Sequence, residues 1–341
     1  MKIFVPDYYK RFKCIADKCS DSCCVGWAIE VDEETAKKYK SLEGEVGAEL
    51  MSTVNDGEVM SFRCDLEGRC ANLDERGLCQ IITRLGEDYL CQICRDHPRY
   101  FNCCHGRCEG GLGLACEVAA DLILSLDSLP EVVEDESDDC VYLGAEENLF
   151  AFSARDYLLA YLFDDRIDIQ RRIGRLLQLA FLADDLLFDI LCGALDTSVN
   201  AAPLLSDIPE VPFDLAEFVS ENLPIFQDLE VLTADFSFRM ESALEKATKN
   251  TAEFIEFLTE NEQPFRNLTY YFIHRYLISD DLYLAYNMTL AISCALAVMA
   301  LAFPEKDNGR EALITVAKDF SKNIEYSTEN IEMLLERIEN I

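Results

Sequence analysis

Histidine is almost missing from this chain: His97, His105 and His274 are the only three in 341 residues. A catalytic zinc site built on histidines is therefore not expected, and the H-E-x-x-H pair does not occur. Basic residues are scarce too, with 30 Lys and Arg against 64 Asp and Glu, a formal net charge of −34. A surface of that sign repels phosphate backbones, so nucleic acid is not an expected partner. The opening MKIFVPDYYKRFKCIADKC has no apolar core and no small-residue cleavage site of an export signal, and a cytoplasmic location is expected. Glycine-rich nucleotide loops are lacking as well. Gly110-Gly111-Leu112-Gly113 comes nearest, but it breaks the G-x-G-x-x-G register and follows no expected strand. The C-x3-C-x2-C signature of radical enzymes begins at Cys19-x3-Cys23, but Gly26 stands where its third cysteine belongs.

Cysteine, in contrast, is abundant. Thirteen of the sixteen fall between Cys14 and Cys116, in groups: Cys14, Cys19 and Cys23-Cys24; Cys64, Cys70 and Cys79; Cys91-x2-Cys94, Cys103-Cys104, Cys108 and Cys116. Thiols grouped this way either crosslink or hold a soft metal. Without an export signal, and with half the residues hydrophobic, the chain does not need the disulfide staples of a small secreted domain, and metal is the expectation. Zinc and iron–sulfur both use such thiolates, and spacing alone does not separate them.

Residues 1–130 carry 15 Lys and Arg against 23 Asp and Glu, with short apolar runs and frequent glycine. They read as a cysteine-rich module whose loops are tied by metal rather than by a large core, with helical pieces at 33–42, 79–94 and 116–127. One stretch, Arg95 to Arg107, is locally basic. Glu131 to Asp139 puts six acids in nine positions and opens an expected acidic linker, 131–145. From 146 to 341, apolar residues recur at three- and four-residue spacing, the mark of amphipathic helices. Helices are expected at 150–163, 166–195, 225–248, 251–262, 265–279, 282–303, 309–322 and 327–340. The fold class is thus mostly α: a metal-tied cysteine-rich N-terminal module packed with an all-helical C-terminal domain. Leu282 to Phe303 runs 22 residues without a charge, long enough to span a bilayer. Its tyrosines, Asn287 and many alanines fit a central bundle helix better, and no membrane span is expected.

Several of these segments resemble one family. Val5-Pro6-Asp7-Tyr8-Tyr9-Lys10, Cys19-x3-Cys23-Cys24-x-Gly26-Trp27, Gly77-Leu78-Cys79 and Leu85-Gly86-Glu87-x-Tyr89-Leu90-Cys91-x2-Cys94-x3-Pro98-Arg99 are similar to the flagellin lysine-N-methylase (FliB) family. Asn267-Leu268-x-Tyr270-Tyr271-x3-Arg275-Tyr276 resembles that family's aromatic segment. The cysteine half is also similar to a broader zinc- or iron-chelating cysteine domain. The chain departs at Cys70-Ala71-Asn72-Leu73 and Cys116-Glu117, where the family commonly has proline after the cysteine.

The resemblance implies a protein lysine N-methyltransferase. Methyl would pass from S-adenosylmethionine to lysine side chains, with flagellin as the protein partner and an iron–sulfur cluster as cofactor. A 4Fe–4S cluster is expected, with zinc as the alternative. Cys14, Cys19, Cys23, Cys24, Cys70, Cys79, Cys91, Cys94 and Cys116 become the ligand candidates, while Cys64, Cys103, Cys104 and Cys108 match no clear family position. Lysine must lose its proton before it can attack, and Tyr270 and Tyr271 are candidates for shaping the channel where it does so. Arg99 and Arg275 are candidates to hold the donor's carboxylate. The rival reading is a non-enzymatic metal-binding or redox-sensing protein whose helical domain binds a partner.

Overall fold

The computed structural model describes residues 2–27, 29–137, 147–304 and 309–341. Two compact units emerge. One joins the described residues of Met1–Phe12, Phe101–Ala115 and Ala119–Ile341, and the other comprises Lys13–Tyr100 with Cys116–Val118. The cysteine unit is thus an insertion into the helical unit, and the first twelve residues belong to the helical unit.

In the helical unit, β1 (Lys2–Pro6) lies between β5 (Arg107–Leu112) and β6 (Val132–Glu136), in a sheet ordered β4-β5-β1-β6 with β4 (Arg99–Cys104) at one edge. β1 runs parallel to β5, with Phe4 opposite Glu109, and antiparallel to β6, with Lys2 opposite Glu136. Alternation explains β1 up to Val5: Ile3 and Val5 are buried, Lys2 is exposed and Phe4 half-buried. The acidic run therefore starts as an edge strand rather than a linker, and residues 138–146 lie outside those described. Gly110-Gly111-Leu112 lies within β5, not in a nucleotide loop. A Cβ on Gly110 would come 3.2 Å from the Val5 side chain and 3.3 Å from that of Phe101.

β4 and β5 meet at a two-residue turn in which His105 and Gly106 both have positive φ, 47° and 84°. That turn suits the twist of a tight hairpin and sets Cys103 opposite Cys108. The two are joined as a disulfide, with Cα atoms 4.0 Å apart. Neither cysteine was among the ligand candidates, and the hairpin register is what brings their two thiols together.

The helices of this unit are α5 (Glu117–Leu124, whose first two residues fall in the other unit), α6 (Leu149–Leu162), α7 (Ile169–Leu191), α8 (Ala202–Ser206), α9 (Leu215–Asn222), α10 (Ala234–Lys249), α11 (Thr251–Glu260), α12 (Glu262–Tyr276), α13 (Leu284–Ala302), α14 (Gly309–Phe320) and α15 (Thr328–Ile338). Side-chain caps start many of them: Asn148 before α6, Asp168 before α7, Asp214 before α9, Thr233 before α10 and Ser327 before α15. α13 is the apolar segment noted in the sequence. Along its apolar stretch 89% is buried inside the protein, and it packs as a core helix.

The cysteine unit holds α1 (Glu33–Lys40), α2 (Gly44–Ser52), α3 (Gln80–Leu85), α4 (Gln92–Asp96) and the small ladder of β2 (Val54–Asp56) with β3 (Met60–Phe62). The expected helix 79–94 breaks because Gly86 adopts φ 96°, a conformation that ends α3. This unit also has an apolar core of its own. Ile29, Val31, Tyr39, Leu50, Val54, Met60, Phe62 and Ile81 are buried together with Cys70 and Cys91. The sequence suggested loops tied by metal rather than by a large core, and this small apolar core holds part of the unit together.

Candidate functional site

In the cysteine unit, local structure aims the thiols. Cys79 and Cys91 each stand at the N-cap of a short helix, α3 and α4. Backbone amides of Ile81 and Ile82 point at the Cys79 sulfur, and that of Cys94 at the Cys91 sulfur. The double cysteine is stitched to the Cys70 turn by Cys70 N–H donating to the Cys24 carbonyl at 2.8 Å and by Gly26 N–H donating to Gly68 at 3.1 Å.

Six of the nine candidates, Cys23, Cys24, Cys70, Cys79, Cys91 and Cys94, thereby come within electrostatic reach of one another. A hydrogen bond with Cys23 raises the Cys24 thiol most, with burial and the charges of Cys79 and Cys70 adding to it. The Cys91–Cys94 hydrogen bond pushes the Cys91 thiol down and the Cys94 thiol up. Burial raises Cys70 and Cys79. Cys64, which sequence reasoning set aside, joins the edge of this group: its thiol acts on Cys70, and it donates to the Trp27 carbonyl at 3.7 Å. The remaining three candidates are Cys14, Cys19 and Cys116. The Cys19 thiol donates to the Glu117 carboxylate at 3.5 Å, beside Cys116 in sequence, and the Cys14 sulfur accepts from Ala16 N–H at 3.4 Å.

Soft, neighbouring thiols with few histidines are the donor chemistry that iron–sulfur clusters and structural zinc require. As they stand, among the described residues, no three His, Cys, Asp or Glu side chains are drawn into a geometry that could hold a metal ion.

In the helical unit, the centre of polar chemistry is α12. Every residue from Phe265 to His274 is buried, so each polar side chain there must find a partner inside the protein. Asn267 donates to the carbonyls of Leu124 and Leu126, and Arg266 pairs with Asp165 at 2.9 Å. One turn further on, two carboxylates take over. Glu325 accepts from Tyr271 at 2.5 Å, Tyr276 at 3.2 Å and Ser321 at 2.5 Å, and pairs with Arg275 at 2.9 Å. Tyr271 itself accepts from Arg275 at 3.1 Å and from Leu114 N–H at 3.3 Å, so its own proton is directed at Glu325. Burial works to lower the Arg275 guanidinium, but Glu325 and the surrounding tyrosines leave it well above its usual value. Glu325 closes a π-helical segment, Ser321–Glu325, that continues α14. Such turns are frequent at functional sites.

The second carboxylate, Glu109 on β5, is gripped by both terminal nitrogens of Arg155 on α6 and lies 3.0 Å from Arg107. Burial pushes its carboxyl up, but Arg155, with His274 and Arg107, holds it down to about 2. Burial drives His274 down to about 4 against the pull of Glu109. Tyr270 stacks obliquely on His274, ring centroids 5.9 Å apart, and hydrogen-bonds Tyr8.

The structure thus brings Tyr271 and Arg275 together and sets Tyr270 on the neighbouring face of α12. Both tyrosines are buried, at 2% and 0% exposure, where the sequence suggested a channel wall. Arg275 is ion-paired to Glu325, and Arg99 belongs to the cysteine unit. Glu325 and Glu109 were missed. No spacing rule connects either to α12; the one available signal was that a helical segment rich in apolar residues and carrying two tyrosines, a histidine and an arginine needs buried counter-charges.

Comparison with known proteins bears on this centre. Residues 209–341 match the FliB lysine N-methylase C-terminal domain, a span that includes α12, the π-helical segment and Glu325. The chain is 28% identical over 130 residues to a flagellar biosynthetic protein, FliU, of Salmonella muenchen, covering 35% of this chain and 75% of that protein. It is 28% identical over 131 residues to a lysine-N-methylase of Salmonella typhimurium, covering 35% of this chain and 32% of the relative. The lysine-N-methylase of Salmonella choleraesuis is 27% identical over 131 residues, again across 32% of its length. The match therefore spans about a third of these two lysine-N-methylases. No solved structure matches. The C-terminal domain model and these relatives agree: residues 209–341 are similar to the C-terminal domain of the FliB lysine N-methylases.

Proposed function

We propose that this protein is a lysine N-methyltransferase that uses S-adenosylmethionine, acts on a flagellar protein substrate, flagellin foremost, and carries an iron–sulfur cluster in its cysteine unit. The observation that carries the reading is the family match across α12 and its Tyr271–Glu325 pair. A lysine ammonium has no lone pair and must give up a proton before its nitrogen can take a methyl group. When bound, S-adenosylmethionine supplies that methyl as a sulfonium and leaves as the neutral thioether. Tyr271 with Glu325 is a phenol–carboxylate pair of the kind that can receive and pass on the lysine proton. Arg275 neutralises the carboxylate so that it can persist in a buried place. In the cysteine unit, Cys23, Cys24, Cys70, Cys79, Cys91 and Cys94 are the residues that would hold the cluster, whose thiolate bonds would tie together α3, α4 and the double-cysteine loop.

The test is methylation of flagellin from the same organism by anaerobically purified, reduced protein, read by peptide mass spectrometry. Methylated lysines are expected, with Tyr271→Phe lowering the rate at least tenfold and leaving iron content unchanged. Bound donor and intact iron without methylation of any protein would replace this reading with the metal-binding or redox-sensing one.

A further inference from the structure

α7 carries an uncovered apolar row. Phe181 is 57% exposed, Phe188 65% and Leu191 84%, where a long amphipathic helix ordinarily turns such side chains inward. The same side of the helix is covered nearer its start. Arg175 donates to the Ile208 carbonyl at 2.7 Å, Gln178 to that of Pro209 at 2.8 Å, and Gly174 lies so close to Phe213 that a Cβ would sit 2.5 Å from it. That cover stops short of Phe181. Beside the uncovered row, Asp184 accepts from the amides of Leu284 and Ala285, both at 2.8 Å, which brings the start of α13 and its exposed Tyr283 alongside.

The rim of this patch has one sign of charge. Asp185, Asp189, Asp280 and Asp281 are all exposed. Between Arg175 and Arg239 the chain has no Lys, Arg or His and twelve Asp or Glu, and between Arg275 and Lys306 it has no cation either. Scattered exposed apolar residues are ordinary, but four large ones collected on one side mark a contact surface. A second copy of this chain would bring the same carboxylates and a further net charge of −34, and an anionic lipid surface would be repelled.

We infer that the α7 face bearing Phe181, Phe188 and Leu191, with Tyr283 beside it, docks a helical segment of a partner protein whose apolar stripe is edged by lysines. Phe181 and Phe188 are seven residues apart, two helical turns, and match anchors at the same period on a partner helix. The inference rests on the protein-lysine reading above and names how the substrate would be held: apolar anchors give affinity and the aspartates choose a lysine-rich partner.

The test uses the full chain and a labelled amphipathic peptide with a leucine seam flanked by lysines, beside the same peptide with glutamates in place of the lysines. Binding of the lysine peptide is expected, weakening several-fold from about 50 to about 300 mM salt, with no binding of the glutamate peptide. Phe181→Ser with Phe188→Ser should weaken it at least tenfold at unchanged helix content, since both side chains are exposed. Asp185→Asn with Asp189→Asn should reduce the salt dependence. Equal binding by the Phe variant, or by the two peptides, overturns the inference. So does dimerisation, or binding to anionic vesicles, that disappears in the Phe variant. Methyl transfer is read on the same samples. A bound peptide that no version of the protein methylates defeats the enzyme reading and leaves the docking face standing. Methylation indifferent to Phe181 and Phe188 does the reverse.

Discussion

Acid should loosen the helical unit through His274. An exposed histidine takes a proton near pH 6.5, whereas burial beside Arg155 and Arg107 holds that of His274 down to about 4. Between those values the unfolded chain binds a proton that the folded chain refuses, so stability falls as pH drops through the window from 6.5 to 4. At about 1.4 kcal/mol per pH unit the full window is worth about 3 kcal/mol, and the part between pH 7 and pH 5 about 2 kcal/mol. Against a total of roughly 5–15 kcal/mol that is a visible loss. Glu109, held down to about 2, loses its contribution only below its unfolded value of 4.5, so work above pH 5 separates the histidine from it. The chain helps the measurement, because its single tryptophan, Trp27, lies in the cysteine unit. Urea unfolding followed by far-UV circular dichroism reports mainly the helical unit, and tryptophan fluorescence reports the other. In wild type the dichroism midpoint should fall between pH 7 and pH 5. In His274→Gln the baseline stability changes but the slope with pH should shrink by most of that 2 kcal/mol. Parallel slopes in the two proteins would refute the reasoning.

Glu325→Gln leaves the buried Arg275 without its counter-charge and should destabilise the helical unit by about 3 kcal/mol, seen as a lowered urea midpoint by dichroism and little change in Trp27 fluorescence. Replacing Cys24, Cys79 or Cys94 singly by Ser should lower the iron and acid-labile sulfide of anaerobically purified protein, while Cys192→Ser should leave them unchanged; equal losses would show that the grouping carries no meaning.

The long helices were legible because their apolar faces repeat without interruption; α6, α7, α10 and α13 all lie within expected segments, give or take an end. Short elements were not. The strands of the sheet run five or six residues, and β5 has no alternation to read because all but Arg107 is buried. The pairing of Cys103 with Cys108 needed recognition that His105-Gly106 is a two-residue turn. The gathering of six cysteines followed from their grouping, but the apolar core around them did not, since Ile29, Tyr39, Leu50 and Phe62 are spread over 34 residues without a period. The α12 centre was half legible. Tyr271 and Arg275 stand out in their segment, whereas Glu325 is one of many acids in an acidic chain and acquires its meaning only when the π-helical turn carries it back to α12.

The order of the sheet sets a schedule for the nascent chain. β1 emerges from the ribosome well before its partners, since both of its neighbours, β5 and β6, are encoded about a hundred residues or more later. At about 5–20 residues per second, the first strand waits on the order of 10 s with both edges unpaired. What emerges meanwhile is the cysteine unit, from Lys13 to Tyr100. Once it is compact, the loop separating Phe4 from Glu109 is effectively short, and the entropy of closing it falls. Most of the helices, α6 to α15, are still to be made when that loop closes.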